Sequence, residues 1–215
     1  MVRILVADDH DVVRRGLCEM LNAQPGWEVC GEASNGHQAV KLALKLKPDV
    51  AVLDLSMPDL NGLEATRRIR REAPQTEVLI FTMHETEQLI REVLAAGARG
   101  YVLKSDAGRS LIVAVEALSR HKPFFTAKVS EALLETYLKF NLKPAENSAF
   151  STLTDREREI VQMLAEGKSN KEVASGLSIS VKTVETHRAT VMRKLGINSI
   201  VELVHYAIRN QIVEP

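Results

Sequence analysis

The stretch VAVLDLSMPDLNG, Val50 to Gly62, decides how the first half of the chain is read. Four of its first six residues are Val or Leu, the composition of a strand covered on both faces, and such strands belong to parallel sheets packed between helices. Asp54 stands near the end of this apolar run, and Pro58-Asp59 and Asn61-Gly62 supply turn chemistry immediately after it. An open parallel sheet binds its ligands beyond the carboxyl ends of its strands. Asp54 is therefore expected at a site rather than in a core.

Working outward, further short apolar runs stand at RILVA, WEVCGEA, EVLIFTM and GYVLK. Between them lie segments with helical spacing: Val13, Leu17, Met20 and Leu21; Leu89, Ile90, Val93 and Leu94; Leu111, Val115 and Leu118. Five strands alternating with five helices predict right-handed crossovers and a doubly wound α/β domain built on a five-stranded parallel sheet. The strand ends then converge: Asp8 and Asp9 after the first, Asp54 after the third, Thr82 at the end of the fourth, Lys104 after the fifth. Three adjacent carboxylates repel one another and call for a cation. Oxygen donors without His or Cys among them suit Mg²⁺, and a lysine beside them suits phosphate oxygens. An Asp so placed is a nucleophile for phosphorus and forms an acyl phosphate.

The totals leave room for a second domain. The chain has 215 residues and no formal net charge, so a nucleic-acid site must come from local clustering. Cys18 and Cys30 share no metal-ligand spacing and read as reduced core thiols. The amino-terminal run is too short and too acidic for a signal peptide, and no stretch is apolar for the length of a membrane helix. The expected location is the cytoplasm, with no membrane partner. After Lys122 the strand signal stops. One helix is expected over 126–140, and the polar run NLKPAENSAFS reads as a linker. The predicted organisation is an α/β domain over 1–122, a partly helical linker over 123–149 and an all-α domain of four helices over 150–215.

The second of these helical segments, SNKEVASGL, is joined by SIS to VKTVETHRATVMRKLG, the outline of a helix–turn–helix. At about 100° per residue, Val184, His187, Val191 and Leu195 share one face. Lys182, Glu185, Thr186, Ala189 and Arg193 share the opposite one. Thr183, Thr190 and Lys194 flank that stripe on one side and Arg188 lies beyond the other. From Ser180 to Leu195 four basic residues stand against one acid, although 150–215 as a whole carries nine against eight. A small, polar, locally basic face suits a helix entering the major groove of DNA.

Together, ILVADDH, DVAVLDLSMPDLNG, LIFTM and GYVLKS resemble the receiver domain of two-component response regulators over roughly residues 1–120. The run from LTDREREIV to VMRKLGI resembles the LuxR-type output domain of the NarL/FixJ subfamily. The resemblance implies a flavodoxin-like receiver phosphorylated on Asp54 by a sensor histidine kinase. It implies Mg²⁺ held by Asp9, Asp54 and the backbone carbonyl of Ser56, with Asp8 acting through water. Thr82 and Lys104 would contact the phosphoryl group. Thr82 and Tyr101 would form a switch in which the ring follows the hydroxyl inward. It further implies operator binding as a homodimer through the last helix, by Val201, Val204, His205 and Ile208, and contact with RNA polymerase. Many receivers carry proline after the lysine; Ser105 stands there instead. Ser56, Met83 and His84 occupy the variable positions that tune phosphoryl lifetime. Two rivals remain at this point. A Mg²⁺-dependent aspartyl phosphohydrolase would need an acid two residues after its nucleophile, where Ser56 stands. A small-molecule-sensing regulator would need a pocket where this chain has acids.

Overall fold

The computed structural model describes residues 1–84, 86–126, 129–131, 153–210 and 212–213, with residue 109 described by its backbone only. The chain divides into two compact units, Met1–Pro144 and Ala145–Pro215.

In the first unit strands and helices alternate: β1 (Val2–Ala7), α1 (Asp11–Asn22), β2 (Trp27–Ala33), α2 (Gly36–Leu46), β3 (Val50–Leu53), α3 (Gly62–Glu72), β4 (Glu77–Thr82), α4 (Glu87–Ala95), β5 (Gly100–Leu103) and α5 (Ala107–Ser119). A single 3₁₀ turn, Lys104–Asp106, leads into α5. The sheet is parallel throughout, in the order β2-β1-β3-β4-β5-β6. Its sixth strand, β6 (Phe124–Phe125), departs from the five expected. Two residues carry no alternation to read; the Phe124 N–H pairs with the Arg99 carbonyl because the chain leaving α5 passes the open edge of β5. β3 and β4 are buried along their whole length, as strands covered on both faces must be. On one face, Ile4, Val6, Val50, Val52, Leu79, Phe81 and Val102 pack against Leu17 and Leu21 of α1 and Leu111, Val115 and Leu118 of α5. α2, α3 and α4 pack side by side on the other.

Register positions the site. Ala7 pairs with Leu53, Leu53 with Ile80, and Thr82 with Leu103, so β1 and β3 end at one level while β4 and β5 run two residues further along the same edge. The order reverses between β1 and β3, the topological switch point where such sheets open a crevice.

The second unit contains α6 (Asp155–Ala165), α7 (Asn170–Gly176), α8 (Val181–Leu195) and α9 (Ile200–Arg209). Side-chain caps start all four. Thr154 with Glu157 and Ser169 with Glu172 form capping boxes, while Ser180 and Ser199 accept from the N–H groups of Thr183 and Glu202. Gly196 ends α8 in the left-handed region, where glycine bears no Cβ clash. Ile160, Val173, Val184, Val191, Leu203 and Ala207 fill the core. The helix expected over 126–140 and the linker run lie for the most part outside the described residues. Among the described residues, no helix is long and apolar enough to cross a membrane.

Candidate functional sites

Asp8 and Asp54 stand one residue past β1 and β3, still tied to neighbouring strands: the Asp8 N–H donates to Ala33 O at 3.1 Å and the Asp54 N–H to Ala7 O at 2.8 Å. Neither carboxylate faces bulk water, with residue exposures of 0% and 3%. Lys104 reaches both from the end of β5, its Nζ 2.8 Å from Asp54 Oδ2 and 2.9 Å from Asp8 Oδ2. The first contact is a hydrogen bond. The second is a charge contact without hydrogen-bond alignment, which leaves Asp8 Oδ2 a buried acceptor. Asp54 Oδ1 accepts from the Leu55 N–H at 2.8 Å. Burial pushes the Asp54 carboxyl up to about 6 against the pull of Lys104, with the neighbouring Asp8 charge adding to the rise. Burial also works against the Lys104 ammonium, but its hydrogen bond to Asp54 and the negative charges of Asp54 and Asp8 outweigh it and hold the group above its usual value.

Asp9 is exposed beside these two. Ligand atoms of Asp8, Asp9, His10 and Asp54 lie within 4.8 Å of one another. Three carboxylates against one lysine leave excess negative charge, and with the oriented acceptor on Asp8 this donor set fits a hard divalent cation. His10 joins the cluster through its Nδ1, 2.9 Å from Asp9 Oδ1. Sequence reasoning missed it; the only available signal was its place directly after the two acids.

Thr82 is fully buried at the end of β4, and its Oγ1 accepts from the His84 N–H at 3.2 Å. His84 is held at two more points. Its carbonyl accepts the Tyr101 hydroxyl, and its Nε2 lies 3.2 Å from Ser56 Oγ. The Tyr101 ring is itself fully buried, so in this conformation it is already inside, whereas the sequence expectation had it follow the hydroxyl inward only on phosphorylation. Met83, the third variable position, is 68% exposed. No peptide bond is cis among the described residues, and Ser105 lies within the 3₁₀ turn. Burial raises both thiols, Cys18 to about 11, and neither is in a disulfide.

In the second unit α8 has one buried side, carried by Val184 and Val191; His187 and Leu195 are only half-buried. Lys182, Glu185, Thr186, Ala189 and Arg193 are exposed, and Thr183 and Arg188 are partly so. Lys194 is exposed as well, and it carries an ion pair. Its Nζ donates to Glu157 Oε2 at 2.7 Å, tying α8 to the buried start of α6. In α9, Leu203 and Ala207 close the core. Val201 and His205 are exposed, and Val204 and Ile208 are half-buried on the same side as they.

Residues 4–116 match the family described as response regulator receiver domain, and residues 151–207 match bacterial regulatory proteins, luxR family. The chain is a LuxR-family response regulator. The regulator is 38% identical over 216 residues to the oxygen regulatory protein NreC of Staphylococcus aureus, covering 99% of this chain and 100% of NreC. Among solved structures it is similar to RcsB of Salmonella enterica serovar Typhimurium bound to promoter rprA in the presence of the phosphomimetic BeF₃⁻. That likeness has a TM-score of 0.61 at 27% identity, over 95% of this chain and 97% of that one. It is also similar to RcsB in two dimers on two parallel DNAs, with a TM-score of 0.58 at 28% identity, over 95% and 96% of the chains. The regulator thus joins a receiver to a LuxR-type DNA-binding domain, the composition of a DNA-binding transcription regulator.

Proposed function

We propose that Asp54 accepts a phosphoryl group from a sensor histidine kinase, and that the phosphorylated regulator binds operator DNA as a dimer. One observation carries this reading: a carboxylate nine-tenths buried at the sheet's switch point, hydrogen-bonded to a lysine and flanked by two further acids. With the carboxyl titrating at about 6, Asp54 is mostly the nucleophilic anion at neutral pH. A carboxylate oxygen of Asp54 attacks phosphorus, the bond from phosphorus to the kinase imidazole breaks, and the electron pair leaves with that nitrogen. Lys104, already on Asp54 Oδ2, neutralises charge on the transferring group, and Thr82 contacts the same oxygens. Asp8, Asp9, Asp54 and the carbonyl of Ser56 are the residues that would hold Mg²⁺, which when bound offsets the negative charge that donor and acceptor bring together.

The output surface is the exposed side of α8: Lys182, Thr183, Glu185, Thr186, Arg188, Ala189, Arg193 and Lys194 read or neutralise DNA, and Lys194 also braces the helix against Glu157. Val201, Val204, His205 and Ile208 pair two copies. We place the receiver at 1–122, the linker at 123–149 and the DNA-binding domain at 150–215, working in the cytoplasm with RNA polymerase. The test is intact mass after treatment with acetyl phosphate and Mg²⁺. One phosphoryl adduct on the wild type and none on Asp54→Ala is expected. Adduct formation that survives Asp54→Ala defeats the assignment, and repeated turnover of a phosphatase substrate would favour an aspartyl phosphohydrolase in its place.

A further inference from the structure

Ala189 lies in a shallow concavity of about 440 Å³ on the exposed side of α8, lined also by Lys182, Glu185, Thr186, Thr190 and Arg193. One helical turn to either side stand the longer, charged chains of Glu185 and Arg193, so the Ala189 methyl forms a floor between two walls. Thr186 spends its single donor inside the helix, giving its hydroxyl hydrogen to Lys182 O at 2.9 Å. What Thr186 offers a ligand is a methyl and an acceptor. The notch therefore presents apolar carbon at its base, with the Thr186 hydroxyl hydrogen already committed. Four base-pair edges compete for such a notch. Guanine and adenine bring polar N7 edges that a methyl cannot satisfy, and cytosine brings a bare C5–H that leaves the notch unfilled. Thymine alone carries an apolar projection, its C5-methyl.

We infer that the notch over Ala189 receives the C5-methyl of a thymine, fixing one T·A pair in each operator half-site. This rests on α8 being the DNA-reading helix. Lys182 and Arg193 supply donors on the flanks, and Glu185 supplies an acceptor for an exocyclic amine on a neighbouring base.

The test uses the full-length protein, treated with acetyl phosphate and Mg²⁺, selected on a random duplex library. Duplexes of the enriched sequence are then made with each thymine in turn replaced by deoxyuridine, a change that removes one methyl and nothing else. One position per half-site is expected to lose about fourfold in affinity, the worth of one buried methyl. Ala189→Gly removes the floor and Ala189→Leu fills the notch with a strong helix former; both bring the thymine and uracil duplexes at that position to equal affinity. An enriched motif in which every thymine tolerates uracil overturns the inference and leaves α8 as the reader. So does thymine preference that persists unchanged in either folded variant. Enrichment of no sequence at all overturns the α8 reading, and the thymine assignment falls with it.

Discussion

The attack on phosphorus proposed for Asp54 requires it ionised, yet it is held where ionisation is costly. Its carboxyl titrates at about 6 because burial outweighs Lys104, and an unfolded chain would ionise it near the ordinary aspartate value. The folded state therefore holds its proton longer. That favours folding at low pH, and the advantage is lost as pH rises through about 6. Asp54→Asn is expected to stabilise the metal-free receiver by about 3 kcal/mol at pH 8, shrinking to about 1 kcal/mol at pH 4.5. Thermal melts in chelator at the two pH values measure this, and a gain independent of pH would contradict it. The carboxylates, Thr82 and Lys104 were legible in the sequence because each ends an apolar run, and a strand end is a position that pattern alone can assign. The anchoring of His84 was not. Its bonds to Thr82 and Tyr101 run through its backbone atoms, which carry no residue-specific signal, and its contact with Ser56 joins side chains 28 positions apart. Because His84 ties Ser56, Thr82 and Tyr101 to one loop, Tyr101→Phe should free that loop at a cost of about 1 kcal/mol. Faster amide exchange in the β4–α4 loop, with β3 unchanged, is the expected result.

Between residue and molecule, the elements show why some readings held and others did not. α3 begins where the loop after Asp54 must turn back on itself, and a Cβ at Gly62 would lie 2.0 Å from the Asp54 carbonyl oxygen. The restriction is backbone approach, since Gly62 sits at the first turn of a helix. Gly62→Ala should push β3 and α3 apart, cost several kcal/mol, and abolish phosphorylation by acetyl phosphate; normal labelling of the variant would refute the geometry. The five long strands were readable from their apolar runs and the four output helices from caps and period. β6 was not, because two residues make no period. The pairing of Lys194 was hidden for another reason: an outward flank and an internal ion pair look alike on a helical wheel, and its partner is 37 residues away. Burial alone would raise the Glu157 carboxyl, but its bonds to Lys194 and Thr154 hold it below its usual value. The pair therefore stabilises the folded state above the ordinary carboxylate range, and that contribution is lost as pH falls through the depressed value. Lys194→Met should cost the output domain about 2 kcal/mol at pH 7, less than a fully buried pair because the Lys194 side chain is 31% exposed. Chemical denaturation read at α6 and α8 would show it, and an unaffected domain would leave Lys194 to its proposed DNA contact alone.

At the scale of the whole molecule, neutral total charge and DNA binding are reconciled by placement: Lys182, Arg188 and Arg193 lie on the outward side of α8 beside one acid, Glu185, while Glu157 and Glu172 are spent in capping boxes and Glu159 on Arg156. Affinity should then divide by residue. Arg188→Ala should weaken binding to every sequence and flatten the salt dependence. A Lys182→Ala, Thr186→Ala double variant should lower preference for the operator while binding to unrelated duplexes changes far less. Titrations of both variants at two salt concentrations separate the effects, and a double variant with unchanged operator preference would move recognition off this face. Dimerisation makes the last demand. Leu203 and Ala207 are consumed by the core of the output unit, but Val201 is 58% exposed with Ile200 beside it, and Val204, His205 and Ile208 continue the same side at helical spacing. An exposed valine contributes little to folding, so Val201→Asp should leave the domain intact. Placed against its own copy in a two-fold pair, the aspartate would meet a like charge and an apolar surface. A duplex with two half-sites one helical turn apart binds a dimer more tightly than a single half-site by an effective-concentration factor of roughly 10² or more, and the variant should lose that factor while keeping single-site affinity. Retention of the full two-site advantage would show that α9 closes its own core and nothing else.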